Sequence, residues 1–432
     1  MLAGLSAVLP AQAQSLVELY DAARAYDATY QSARSQYDAT LAKAEQSKAL
    51  MLPTVGLSAG MSQTNQDLQS PKAINYTYNA QSATIAASQP LYRPANAASY
   101  EQGKQQVSLA QAQLDQADQD LIVRVSQAYF DVLASADSLQ FVKSQKTAVA
   151  EQLASAKRNF EVGTSTITDS REAQARYDLV IAQELAADND LRVKSIALDQ
   201  LVGTQNAKPR PLAAPVVLSA IEPADVNQWV QNSEANHPGI KQLQVALDVA
   251  KLETSKAEAG HKPTLDLTGS YTVGGSQNGS SSLTAGDTRA NVATVGLSFN
   301  LPLFAGYAIQ NRVKETVALE QKARTDLEAT KRTVAQGTRT AFYGVQSGMG
   351  QVIALEAAEA SSQSALDANK LGYQVGVRIN IDVLNSQSQL FSTKASLAKA
   401  RYDVLVGGLK LRQAAGLLKA DDLQAVNNQL AK

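Results

Sequence analysis

Hydrophobic and polar positions along this chain follow two rhythms, and each rhythm occurs twice. In the first proline-free stretch, 95–208, apolar residues recur on a 4-3 spacing at Leu121, Val125, Ala128, Val132, Leu139, Val142, Val149, Leu153, Ala156 and Phe160. Only Ser135 and Lys146 interrupt it. In the second such stretch, 303–432, Phe342, Val345, Met349 and Val352 step by 3, 4 and 3. This spacing puts an apolar stripe on one helix face and predicts a coiled-coil seam between neighbouring helices. Both stretches are rich in Ala, Gln, Leu, Lys, Glu and Asp, a composition that supports helix. A helix from about Pro94 to Phe160 is about 100 Å long at 1.5 Å per residue, and Ala305 to Tyr373 predicts its equal. Each helix should end at a Val-Gly pair and restart near Thr168-Asp169 or Ile381-Asp382. The returning helices should run to Gly203 and Gly416, since glycine suits a helix C-terminus. Asp169 and Asp382 then lie near helix starts, where a carboxylate is favoured.

The second rhythm has period two. Leu265, Leu267, Tyr271 and Val273 alternate with Thr264, Asp266, Thr268, Ser270 and Thr272. Val295, Leu297, Phe299 and Leu301 alternate with Thr294, Gly296, Ser298 and Asn300. A Gly/Ser/Asn-rich loop, Gly274 to Arg289, is expected between them. The earlier counterpart has Val55, Leu57, Ala59 and Met61, a loop through Pro71, and a weaker strand ending at Pro90. Strands of about 9–11 residues cross a bilayer when tilted, and a polar face opposite an apolar one is the pattern of outer-membrane barrels. Period-two strands also build soluble hairpins. Tyr76, Tyr78, Tyr92, Tyr271, Phe304 and Tyr307 fall near the expected strand ends and suit interfacial girdles.

The two halves carry the same landmarks in the same order. Met51-Leu52-Pro53-Thr54 returns as His261-Lys262-Pro263-Thr264, and Gln89-Pro90-Leu91-Tyr92 as Leu301-Pro302-Leu303-Phe304. Phe160-Glu161-Val162-Gly163, followed by Asp169, returns as Tyr373-Gln374-Val375-Gly376, followed by Asp382. The expected organisation is a first repeat at 14–203, a linker at 204–224, a second repeat at 225–416 and a tail at 417–432. Residues 1–13 read as a signal-peptide remnant, with an apolar run ending in a small-residue Ala11/Ala13 pattern but no basic start.

Composition removes alternatives. The chain has 39 basic and 40 acidic residues, no cysteine and two histidines, His237 and His261. Without a basic stripe, nucleic acid is not an expected partner. Thiolate metal sites, disulfides and Cys–His catalysis are ruled out. No nucleophile–base–acid set, metal cluster or phosphate loop stands out, so neither an enzyme nor a cofactor is expected. No stretch approaches the ~20 apolar residues of a membrane helix.

Four strands per chain cannot close a barrel, and an open edge leaves backbone groups unpaired in lipid. Two chains would supply eight strands, which their own side chains fill; three supply twelve and leave a channel. A transport role therefore calls for a trimer.

The Val-Gly turns, the Tyr-Asp pairs Tyr177-Asp178 and Tyr402-Asp403, Leu91-Tyr92-Arg93-Pro94 and the duplicated strand–rod order together carry a resemblance. From Ser15 to the tail the chain resembles the TolC family of bacterial outer-membrane export channels. The resemblance implies a homotrimer with a twelve-stranded transmembrane β-barrel, four strands per chain, continuous with a periplasmic α-helical barrel. It implies an iris-like gate at the inner mouth, a periplasmic adaptor (membrane fusion) protein, an inner-membrane ABC or proton-driven transporter, and no enzymatic activity. Tyr373 and Arg378 match the tyrosine and arginine that hold the gate, Thr168 and Asp169 their partners on the neighbouring hairpin, and Gln152 a further polar partner. Asp382 matches the first of two constricting aspartate rings, but the second position is Asn385, a departure that implies weaker block by multivalent cations. Val162-Gly163-Thr164 and Val375-Gly376-Val377 match the tips where adaptors dock; by themselves these residues also read as ordinary turn geometry. Type I secretion and multidrug efflux both fit. The lack of a cysteine for a lipid anchor tilts towards secretion. A structural coiled-coil protein without a channel is the alternative from another class.

Overall fold

A computed structural model describes residues 13–69, 74–278 and 286–431. All of the proposed signal segment but Ala13, the Pro71 turn and most of the loop after Asn278 lie outside them. The order is α1 (Leu16–Tyr26), α2 (Ala28–Ala49), β1 (Thr54–Leu68), β2 (Ile74–Tyr92), α3 (Pro94–Glu161) and α4 (Ile167–Val202). The same order returns as α5 (Val226–Asn236), α6 (Pro238–Glu258), β3 (Thr264–Gln277), β4 (Thr288–Asn300), α7 (Ala308–Gln374) and α8 (Asn380–Ala414), followed by α9 (Ala420–Asn427). The chain is therefore an internal duplication of two helices, a strand pair, a long helix and a return helix. It forms two compact units: Met1–Ser35, Ala112–Lys241 and Ala329–Lys432 make one, Gln36–Gln111 and Gln242–Glu328 the other. The boundaries fall inside α2, α3, α6 and α7. Among the described residues no helix is long and apolar enough to cross a membrane.

The second unit is built on one antiparallel sheet in the order β1-β2-β3-β4. Its strands hold 15, 19, 14 and 13 residues, longer than the period-two pattern predicts. The reason lies in residues that sequence reading assigns to a loop. Gly274, Gly275 and Ser276 pair with Ala290, Arg289 and Thr288, and the hydroxyls of Ser276 and Thr288 meet at 2.6 Å. Pro90 lies inside β2 instead of closing it, because a register shift between Pro90 and Tyr92 takes up its missing donor. Tyr271, expected near an end, sits mid-strand in one row with Leu57, Ile85 and Ala293.

Period two assigns each row to a face. Val55, Leu57, Met61, Val295, Leu297 and Phe299 all stand on one face and are exposed. The opposite face carries hydroxyls, with Thr84 and Thr272 bonded at 2.9 Å and Thr268 donating to the Gly296 carbonyl. Asp266 is buried there, held by a bidentate bond from Arg93 at 2.7 and 2.6 Å. Neither β1 nor β4 has an outer neighbour among the described residues.

In the first unit most of the 4-3 stripe of α3 from Leu121 through Ala156 is buried, Ala128 and Val142 partly so, whereas Phe160, at the tip end of the helix, is exposed and does not continue the seam. The two interruptions are paired polar groups: Ser135 donates to Asp190 at 2.6 Å and Lys146 to Glu184 at 2.5 Å, both on α4. Around the stripe, α1, α4, α8 and α9 close a core in which Phe130 stacks on Tyr402, ring centroids 5.6 Å apart. The linker and tail are tied to each other: Ala213 donates to the Gln429 carbonyl at 2.9 Å and Ala431 to that of Pro211 at 2.8 Å. A second core gathers Trp229, Phe342, Val345, Val352, Leu397 and Leu411.

Candidate functional site: the paired hairpin tips

The α3–α4 and α7–α8 turns share one backbone solution. Gly163 and Gly376 have φ of +76° and +77°, a region that side-chain-bearing residues avoid. Thr164 donates to the Asn159 carbonyl at 2.8 Å, and Val377 to that of Gly372 at 2.8 Å. The turns leave Val162, Val375, Val377 and Ile379 exposed, so apolar side chains crown both tips. Thr164 is exposed with them, its hydroxyl returned to the Asn159 carbonyl.

Past the turns the copies diverge. Thr166 is the N-cap of α4, and its hydroxyl and backbone N–H donate to Asp169 at 2.8 and 2.9 Å in a capping box. The Asp169 carboxylate is thus engaged within its own helix. Thr168 is exposed and makes no side-chain bond among the described residues. The matching cap of α8 is Ile379, which gives no side-chain bond. Asp382 is left to Arg378, 3.8 Å away across one helical turn. Arg378 lies over Gly372, where a Cβ would come within 2.6 Å of its Cγ.

The hairpins are bridged by a run of largely uncharged bonds. Asn159 donates to the Tyr373 hydroxyl at 3.1 Å. Gln152 donates to the Asn380 side-chain carbonyl, and Asn380 in turn donates to the Asp169 backbone carbonyl at 3.4 Å. Arg176 donates to Asn385 at 2.8 Å, and Gln145 to Ser388 at 3.3 Å. Asn369 donates to Ser386 at 2.5 Å within the second hairpin. Asn380 is 1 % exposed, whereas Ile167, its counterpart in the first repeat, is 49 % exposed. Tyr373 and Gln152 are therefore brought to partners within the chain, but not to Thr168 or to the Asp169 carboxylate, and Arg378 meets neither. Asn385, read as part of a constriction, is occupied by Arg176. Sequence reasoning missed Asn159, Arg176 and Asn380. Only for Asn380 did a signal exist: a polar residue where the other repeat has isoleucine.

Further up the first unit, burial holds the Asp137 carboxyl above the ordinary range, although Tyr402 donates to it at 2.6 Å. The bidentate Arg124 bond holds the Asp27 carboxyl below that range. No group of three or more His, Cys, Asp or Glu residues placed to hold a metal occurs among the described residues.

The pattern that defines outer membrane efflux proteins fits residues 19–204 and fits again at 229–417, one match per repeat. The chain belongs to the outer membrane efflux protein family. Its similarity to outer membrane protein TolC of Vibrio cholerae is 32 % identity over 96 % of this chain and 93 % of that protein. TolC of Escherichia coli is 31 % identical over 100 % of this chain and 87 % of its own. The alkaline protease secretion protein AprF of Pseudomonas aeruginosa is 28 % identical over 96 % of this chain and 87 % of its own. Among solved structures, the outer membrane protein VceC of Vibrio cholerae superposes with a TM-score of 0.79 at 17 % identity, covering 93 % of this chain and 96 % of that one. The Campylobacter jejuni CmeC outer membrane channel gives 0.80 at 16 %, covering 99 % and 95 %. The fold is that of the family's channels, and the protein is an outer-membrane efflux or secretion channel. Membership removes the non-channel coiled-coil alternative.

Proposed function

We propose that this protein is the exit duct of a tripartite export machine, working as a homotrimer. The carrying observation is a four-stranded sheet with an exposed apolar face and two open edges. Unpaired edges cannot remain in lipid, and β4 of one copy meeting β1 of the next closes twelve strands with a lumen. The hydroxyl-lined face then points inward and the apolar face to lipid. The helices continue the duct through the periplasm.

The tip hairpins form the gate. Within each chain the amide bridges hold the second hairpin on the first. Between chains, Arg378 and Tyr373 reach Thr168 and Asp169 of a neighbouring hairpin, and three Asp382 carboxylates ring the opening. The exposed tips around Gly163 and Gly376 receive a periplasmic adaptor, which couples the duct to an inner-membrane ABC or proton-driven transporter. Both protein and small-molecule cargo pass; relatives named for protease secretion and for efflux support this shared reading.

Detergent-solubilised protein should have the mass of three chains and form ion-conducting pores in planar bilayers. A monomer or dimer soluble without detergent would overturn the reading.

A further inference from the structure

Resting on the channel reading, we propose that the outward face of the sheet carries a binding site for a phosphate-bearing lipid of the outer leaflet, built from Arg289, Gln81 and Asn291. The register fixes the place. Phe299 pairs with Leu265, which pairs with Tyr92, and this aromatic row lies at the strand ends nearest the long helices. Moving away from it, successive rows on the same face hold Leu267 and Leu297, then Val55 and Val295, then Leu57, Ile85 and Tyr271, then Ala59 and Val273. The next row is Met61, Gln81, Gly275 and Arg289.

Phe299 and Arg289 are ten residues apart on β4, about 33 Å along a strand. A tilt of about 40° reduces this to about 25 Å along the membrane normal, the height of a barrel's apolar band. Arg289 thus emerges where the band ends, at the side away from the helices, where lipid headgroups begin. An arginine projecting into mid-membrane would be costly; at this level its stem lies along apolar surface and its guanidinium reaches the headgroups.

The site has a shape as well as a charge. A groove of about 830 Å³ is lined by Ala59, Ala83 and Gly275, three small residues of this face, and by Gly60, Ser82 and Gly274 of the row between them. Met61 and Val273 give it apolar walls, while Gln81, Arg289 and Asn291 supply amide and guanidinium donors at its rim. A Cβ at Gly275 would lie 3.7 Å from Arg289 Cγ, so the arginine stem crosses the strand where no side chain opposes it. Among the described residues Arg289 makes no ion pair or side-chain hydrogen bond. An apolar floor beneath unpaired donors matches a molecule with acyl chains and a phosphate, and the planar guanidinium takes two phosphate oxygens at once.

The test uses native mass spectrometry of the detergent-purified protein with bisphosphorylated lipid A as probe, its dephosphorylated form as control and inorganic phosphate as competitor. The full protein should hold the phosphorylated lipid about tenfold more tightly than the control. Arg289→Ala should lose that preference, and Arg289→Lys should keep only part of it. Ala83→Leu, which fills the groove but keeps the charge, should also weaken binding. Equal retention of the phosphorylated lipid by wild type and Arg289→Ala would overturn the site. So would displacement of the lipid by millimolar phosphate, which would make it a free-anion site. Conductance and oligomer mass are recorded on the same samples: a conducting trimer with no phosphate preference refutes the lipid site alone, and absence of a pore refutes the channel reading.

Discussion

The two hairpin tips have the same turn and different fastenings. In the first, Thr166 and Asp169 close a capping box inside α4, so the helix start is satisfied by its own residues. In the second, Ile379 has no side-chain group to cap the start of α8, and Asn380 and Tyr373 are instead satisfied by the other hairpin: Asn380 by Gln152 and Asp169, Tyr373 by Asn159. Duplication preserved the backbone and redistributed the bonds. The first tip holds itself; the second is held. On the proposed gate, the helix pair whose order depends on bonds to its neighbour is the one expected to move when those bonds break.

Substitutions that attack the two fastenings separately sharpen this contrast. The largest expected effect is from Asn380→Ala, which removes a buried amide and strands the half-buried amide of Gln152, and should cost about 1–3 kcal/mol. It should also raise single-channel conductance, since the start of α8 loses its hold on the first hairpin. Thr166→Ala should cost about 1 kcal/mol by removing the cap, read as a lower melting temperature of the purified trimer, without a rise in conductance. Arg378→Ala removes an exposed pair worth about 0–1 kcal/mol within the chain; a larger effect on conductance would locate its partner in a neighbouring chain. Asp382→Ala should abolish the remaining block by multivalent cations, and unchanged block would remove the carboxylate ring from the account.

Away from the tips, two carboxylates oppose each other in sign. The Asp27 carboxyl is held low by Arg124, so its contribution is present above the ordinary carboxylate range and fades as pH falls through its lowered value. The Asp137 carboxyl is held high by burial, so its charge costs stability as pH rises from the ordinary range through its raised value. Asp27→Asn should flatten the acid loss of stability, and Asp137→Asn should remove the opposing slope; thermal melts from pH 3 to pH 7 (about the span of carboxylate titration) read both.

Much of this architecture was legible because it is periodic. The buried 4-3 stripe and the proline-free stretches predict α3 and α7 to within a few residues, and the repeated Val-Gly pairs mark both turns. Strand ends were not legible, because Gly274, Gly275 and Ser276 are loop formers by local preference and become strand only through cross-strand pairing. Site partners were hidden for a related reason. Asn159 and Tyr373 are 214 residues apart, and Arg176 and Asn385 are 209 apart; no local pattern ties one to the other. The polar residue at 380, where the first repeat has Ile167, was visible, yet its meaning required knowing that the position is buried.

The most direct test of the account compares single-channel conductance of the wild-type trimer with that of a Tyr373→Phe, Arg378→Ala, Asn380→Ala triple variant and of Thr166→Ala. The expected result is a several-fold higher conductance in the triple variant and a wild-type value in Thr166→Ala, at matched trimer mass. Equal conductance in all three, or a rise only in Thr166→Ala, would contradict the assignment of the moving half of the gate to the second repeat.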